Sequence, residues 1–229
     1  MQLKKHIPNA ITCCNLLSGV AAVVLTLRYD QPEWAAWCVV LAAVFDFFDG
    51  LVARALGVSS PIGKDLDSLA DVISFGLAPS VLVWSALEAV APGNPYSYGV
   101  FILAPFAALR LAKFNNDTRQ TTSFRGLPVP SNALFWLGMS PAVSGIASLL
   151  GVELTIALYL LLSLALSSLM VSELPMFSFK LKPAPLRSLW PQLTLIVVTL
   201  AAVAFLGWLG CSVAIATYLL LSLFAPREA

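Results

Sequence analysis

Asp46, Asp49, Asp67 and Asp71 are the residues whose type and spacing point to chemistry. The segment reads Asp46-Phe-Phe-Asp49-Gly50-Leu-Val-Ala53-Arg54. After eight further residues, Gly63, Asp67 and Asp71 recur every four. Spacings of three and four place side chains on one helix face. The sequence therefore predicts two carboxylate stripes on consecutive helices. Val58-Ser59-Ser60-Pro61 between them contains a turn signal, and a helical hairpin would set one stripe against the other. Four facing carboxylates cannot all stay ionised without cations. Carboxylate oxygens suit Mg²⁺, Mn²⁺ or Ca²⁺, and two such ions side by side form a recurring clamp for displacement at phosphorus. The small residues at 50, 53 and 63 would admit a phosphate to the helix backbones, and Arg54 adds a fixed positive charge. Asp65 falls off the stripe beside Lys64 and is expected to face water or pair locally. Pairing with Lys64 and Arg54 at a helix end would explain one or two of these acids. It would not explain Asp46 and Asp49, which lie within an apolar run where ionisable residues are costly and mark function.

The elements that must carry these stripes are membrane helices. The chain has 229 residues, 59% hydrophobic and only 11% charged. Soluble domains carry about 25% charged residues, so a soluble globular enzyme is excluded as the leading reading. The wealth of Leu, Val, Ile and Phe excludes disorder. A net charge of +1 implies no nucleic-acid surface. Crossing hydrocarbon takes roughly 20 apolar residues, which must be helical to satisfy their own backbone. Eight runs qualify, at about 10–27, 34–55, 66–90, 97–114, 130–150, 153–172, 190–206 and 210–225. The fold class is all-α, a polytopic membrane helix bundle. The basic N-terminal segment lacks a small-residue cleavage site and runs on into the first span, so it is not a signal peptide.

Alternating the loops puts Lys4, Lys5, Arg54, Lys64, Arg110, Lys113, Arg119, Arg125, Lys180, Lys182, Arg187 and Arg227 on one side and Arg28 alone on the other. The positive-inside bias makes the first side, with both termini, cytoplasmic. Cys13, Cys14, Cys38 and Cys211 lie in apolar runs without metal-type spacing and read as small core hydrophobes. His6, the one histidine, sits in the basic terminal segment and reads as an interface residue.

The pattern D-x2-D-G-x2-A-R-x8-G-x3-D-x3-D resembles the signature of the CDP-alcohol phosphatidyltransferases at every fixed position. The resemblance implies a core of six helices over residues 1–172 and a site for two divalent cations, Mg²⁺ or Mn²⁺. It also implies attack on a CDP-linked lipid with release of CMP. Carried over residue by residue, it makes Asp46, Asp49, Asp67 and Asp71 metal ligands and Asp71 the general base. Asp49, Gly50, Ala53, Arg54, Gly63 and Asp67 would bind the nucleotide. It also favours a homodimer. Residues 173–189 read as an interfacial connection and 190–229 as two added spans.

Further segments resemble the membrane-integral phosphatidylserine synthases within that family. They are Pro8-Asn9-Ala-Ile-Thr12 with Asn15-Leu-Leu-Ser-Gly19, Asp71-Val-Ile-Ser-Phe-Gly-Leu-Ala-Pro79, Leu109-Arg110-Leu-Ala-Lys113-Phe114-Asn115 and Phe124-Arg125-Gly126-Leu127-Pro128. The implied substrates are CDP-diacylglycerol and L-serine, with membrane lipids as surroundings. Arg110, Lys113 and Arg125 could hold a carboxylate or phosphates, or act only as positive-inside residues. Arg110 lies furthest inside a span. Asn115 and Asn116 could accept from an ammonium. Asn9, Thr12 and Asn15, three apart, could bind the substrate head or bond helix to helix. Glycerol 3-phosphate, inositol phosphate or an archaetidyl lipid are alternative substrates. A divalent-cation transporter is the alternative of another class, disfavoured because the acids gather on one side. An inactive lipid-binding scaffold is disfavoured because all four aspartates are present.

Overall fold

Apolar runs in lipid must close their backbone hydrogen bonds internally, and the chain does so in a series of antiparallel helices. The computed structural model describes residues 6–58, 60–116, 124–176 and 190–224. Six helices are long and apolar enough to cross a membrane: α1 (His6–Tyr29), α2 (Pro32–Leu56), α3 (Pro61–Val90), α4 (Pro95–Asn116), α5 (Val129–Leu150) and α6 (Val152–Val171). The C-terminal helices α7 (Trp190–Leu206) and α8 (Leu209–Phe224) have 17 and 16 residues. They form where the sequence places them but are shorter than the other six. At ~1.5 Å per residue their described residues cover about 25 Å each.

The one departure from an all-helical chain among the described residues is a two-residue ladder. β1 (Phe124–Arg125) runs antiparallel to β2 (Pro175–Met176). Lys4, Lys5, Arg119, Lys180, Lys182, Arg187 and Arg227, and the connection beyond Met176 as far as 189, lie outside the described residues.

The bundle buries polar residues beside its apolar core and exposes large apolar side chains. Thr12, Asn15, Asp49, Asp71 and Arg110 are buried, while Leu17, Phe47, Leu69, Leu161 and Phe205 are exposed. An apolar surface over buried polar groups suits hydrocarbon as the solvent. Trp34, Trp37, Tyr96 and Tyr98 are exposed near the starts of α2 and α4, at the bundle end away from the aspartates. Amphipathic rings are enriched at that depth. The apolar core proper centres on Phe75, Leu87, Leu103, Trp136 and Tyr159. The Tyr159 hydroxyl donates to the Met139 carbonyl at 2.7 Å, which satisfies the one polar atom its burial would strand.

Two local features set the geometry at the other end. The α2–α3 turn has Gly57 in the left-handed region at φ 62°, where its N–H caps the carbonyls of Ala53 and Arg54. Ser60 then caps α3 by accepting from the Gly63 N–H at 2.9 Å, and Pro61 opens the helix. Second, α3 begins before the predicted 66 and changes register. Residues Val72–Leu77, directly after Asp71, form a π-helical stretch, a feature frequent at functional sites. Here α1 crosses α3 at close range. A Cβ on Gly19 would lie 2.7 Å from the Ser74 Cα, and the Ser74 hydroxyl donates to the Asn15 carbonyl at 3.0 Å. Gly19→Val must push α1 off α3. We expect a loss of about 1–3 kcal/mol, read as a lower midpoint in thermal unfolding of the detergent-solubilised protein. An unchanged midpoint would refute the close crossing.

Candidate functional site

The last turns of α2 and the first turns of α3 form the hairpin that the sequence predicts. Carboxylate oxygens of Asp46, Asp49 and Asp67 all lie within 4.8 Å of one another. Asp49 is buried and the other two half-buried. Three acids this close repel strongly unless a cation lies between them. No described Lys or Arg comes within salt-bridge distance of any of the four motif aspartates. Helix-end pairing with Lys64 or Arg54 therefore does not account for them. Lys64 instead donates to the Asn115 carbonyl at 2.8 Å. Asp65 is exposed, as its position off the stripe suggests.

The donor set fits a divalent cation. All donors are hard oxygens, and the buried Oδ1 of Asp67 has no hydrogen-bond partner. Two other carboxylate oxygens are oriented from α1. The Thr12 hydroxyl donates to Asp49 Oδ2 at 2.6 Å, and the Asn15 amide donates to Asp71 Oδ1 at 3.0 Å. Both residues thus bond helix to helix. Asp71 is buried in the next turn of α3, outside the three-carboxylate cluster but close enough to interact with each member.

Beside the cluster lies a cavity of about 260 Å³. Asn9, Thr12, Asp49, Gly50, Ala53, Gly63 and Asp67 line it, together with Pro8, Val58, Ser60 and Lys64. Five of the six residues that the resemblance assigns to nucleotide binding are here. The sixth, Arg54, is exposed and is absent from the lining. Its guanidinium Nη1 would lie 3.6 Å from a Cβ on Gly50, so it lies over the rim. A Cβ on Gly63 would stand 3.0 Å from both Asn9 Oδ1 and Ser60 Oγ, a tight approach.

The cations expected to hold an acceptor gather elsewhere. Arg110, Lys113 and Arg125 line a crevice of only about 10 Å³, with Phe114, Met170, Ser172 and Glu173. Arg110 is buried, with its guanidinium 5.2 Å from the Phe114 ring centroid, a cation–π distance. It also interacts with Asp71, which links crevice and cluster. Lys113 and Arg125 both ion-pair with Glu173, at 2.9 and 2.7 Å. Glu173 is absent from the sequence reading, because a lone acid in a loop between spans carries no spacing signal. Asn115 is engaged between helices, donating to the Ser68 hydroxyl at 2.7 Å, and Asn116 donates to the Ala112 carbonyl within its own helix.

A family model described as CDP-alcohol phosphatidyltransferase matches residues 5–169. Among curated proteins, the chain is similar to one from Saccharomyces cerevisiae named CDP-diacylglycerol–serine O-phosphatidyltransferase. The two are 35% identical over 161 residues, which is 62% of this chain and 56% of the relative. Proteins of the same name match from Mycobacterium leprae, 33% identical over 58% of this chain and 46% of the relative, and from Bacillus subtilis, 34% identical over 55% and 70%. The chain thus spans about half the length of the first two of these relatives.

The carboxylate cluster and its α1 bonds predict metal affinity. Mn²⁺ titrated calorimetrically into detergent-solubilised protein should bind ~10–100-fold more weakly to Thr12→Val, which frees Asp49 from its orienting hydroxyl. Asp67→Asn should lose more, and Asp65→Asn should match the parent protein. Equal affinity in all three variants would refute a metal site at the cluster.

Proposed function

The chain belongs to the CDP-alcohol phosphatidyltransferase family, and from that premise we propose that it makes phosphatidylserine. In this reading it transfers the phosphatidyl group of CDP-diacylglycerol to the hydroxyl of L-serine and releases CMP. The observation that carries the reading is the convergence of Asp46, Asp49 and Asp67 beside a cavity walled by Gly50, Ala53 and Gly63. The names of the relatives support serine as acceptor.

The cavity takes the cytidine diphosphate head, with glycine and alanine leaving room for phosphate against the helix backbones. Asp46, Asp49, Asp67 and Asp71 would hold two divalent cations, Mg²⁺ or Mn²⁺, which when bound offset negative charge on the transferring group and on departing CMP. Thr12 and Asn15 fix the orientation of Asp49 and Asp71 from α1. Asp71 is the general base: the serine hydroxyl gives it a proton while the serine oxygen bonds to the lipid-side phosphorus and the bond to CMP breaks. Such a base contributes roughly 10²–10⁴-fold. Arg110, which lines the separate cation crevice, takes the serine carboxylate. Positioning both reactants supplies much of the remaining acceleration.

The organisation follows from the same reading. Residues 1–172 form the transferase core, 173–189 an interfacial connection and 190–229 a C-terminal helical pair. The site opens to the cytoplasmic leaflet of the inner membrane, both termini are cytoplasmic, and the protein acts as a homodimer.

The test is CMP release by purified protein supplied with Mn²⁺ or Mg²⁺, CDP-diacylglycerol and a panel of alcohols. Release with serine alone is the expected result, and Asp71→Asn should reduce it at least ~10²-fold. Release with glycerol 3-phosphate or inositol phosphate instead would reassign the acceptor. No release with any alcohol, together with Mn²⁺ flux into vesicles, would replace the enzyme by a transporter.

A further inference from the structure

We propose that Lys64 takes a phosphate of the nucleotide head, as the cation in the wall of the cavity where Arg54 stands only at the rim. This rests on the reading of that cavity as the cytidine diphosphate site, and it holds whichever alcohol is the acceptor.

Lys64 follows Gly63 near the start of α3, and among the described residues it is the one Lys or Arg that lines the cavity. Stability does not explain a cation there. Ser60 caps α3 and its first turn carries no acid, so the positive end of the helix dipole works against an ammonium. No acid compensates, because Lys64 forms no salt bridge among the described residues. Its Nζ is held instead by a neutral acceptor, the Asn115 carbonyl at the end of α4, at 2.8 Å. Two further bonds close a ring around this contact. The Asn115 amide donates to the Ser68 hydroxyl at 2.7 Å, and that hydroxyl donates to the Lys64 carbonyl at 3.2 Å. The ring sets the Lys64 backbone beside the cavity and leaves the ammonium donors to spare. The side chain is exposed, so it is free to turn from the carbonyl to a charged oxygen, which makes the stronger bond.

The charge balance of the cavity asks for such a cation. Four aspartates and two divalent cations would cancel one another. The pyrophosphate of a CDP-linked lipid then brings negative charge of its own into a bundle where unpaired charge is costly. Arg54 meets that charge from the rim, over Gly50, and Lys64 meets it from the opposite helix of the hairpin. A lysine suits the task, because its ammonium is a compact point charge on a flexible stem that follows a phosphate without demanding one geometry.

The experiment titrates CDP calorimetrically into the detergent-solubilised protein with saturating Mn²⁺, in parent, Lys64→Gln, Lys64→Arg and Ser68→Ala forms, and repeats the titration with cytidine. Lys64→Gln should weaken CDP ~10-fold, the scale of one charged contact. It should leave cytidine, which has no phosphate, unchanged. Added salt should weaken CDP binding less in Lys64→Gln than in the parent, because a screened charge pair has been removed. Lys64→Arg should restore most of the affinity and the salt response. Ser68→Ala, which opens the ring but keeps the ammonium, should bind CDP as the parent does. Unchanged CDP affinity in Lys64→Gln overturns the proposal. So does an equal loss in Ser68→Ala, or an equal loss for cytidine, each the mark of a residue that only holds the helices together. A parent protein that binds no CDP with Mn²⁺ present would overturn the nucleotide reading of the cavity itself, and that control is read before any variant.

Discussion

Like charges cannot be gathered inside a membrane bundle unless each is oriented, paired or neutralised. Asp46, Asp49, Asp67 and Asp71 impose that constraint, and the rest of the fold answers it. The first helix contributes two hydrogen-bond donors, Thr12 and Asn15, to two of the four carboxylates. These donors arrive at the right depth because α1 can press against α3 at Gly19, where a larger residue would collide with Ser74. The hairpin between α2 and α3 is closed by Gly57, Ser60 and Pro61, each supplying a backbone requirement of a helix end. Removing water from the surroundings makes every one of these polar bonds more consequential, since a stranded group has no solvent to turn to.

The carboxylate hairpin was legible in the sequence because helical periodicity is short-range. Asp46 and Asp49, and then Gly63, Asp67 and Asp71, declare their faces by spacing alone. The six long helices were legible for a similar reason, since hydrocarbon thickness sets a length that composition reveals. The roles of Thr12 and Asn15 were open between ligand and helix contact. Their partners lie 37 and 56 residues away, and no local pattern encodes a crossing angle. The π-helical stretch after Asp71 was invisible, because a change from four- to five-residue bonding has no residue signature. Arg54 shows the limit of carry-over. It occupies its motif position, yet in this structure its side chain lies outside the cavity lining.

The cations taught a different lesson. Arg110, Lys113 and Arg125 have one formal charge each and one shared side of the bundle, and position within an apolar run sets only Arg110 apart in the sequence. Burial separates them. Arg110 is inside the bundle against Phe114 and near Asp71. Lys113 and Arg125 are partly exposed and committed to Glu173. The positive-inside bias explains why cations occur on this face, and the fold buries the one that sits deepest in its span, Arg110. Glu173 escaped notice because its meaning comes from the β1–β2 pairing and the Gly126 turn, two features only a few residues long.

The C-terminal helices lie beyond the stretch matched by the family, which ends at residue 169, yet they are not loosely appended. Gly138 of α5 faces Ser212 of α8 with no space for a side chain: a Cβ there would lie 2.6 Å from the Trp208 carbonyl oxygen. The Ser212 hydroxyl donates to the Phe135 carbonyl at 2.7 Å, and Trp208 stacks edge-on against Trp37 of α2 at 5.1 Å. Small residues at a helix crossing with a hydroxyl bonded across it are how membrane helices associate where no hydrophobic force drives them together. With α8 held in this register, Tyr218 is buried in the bundle. A helix outside the stretch matched by the family is thus packed into the bundle by a close crossing and a hydrogen bond.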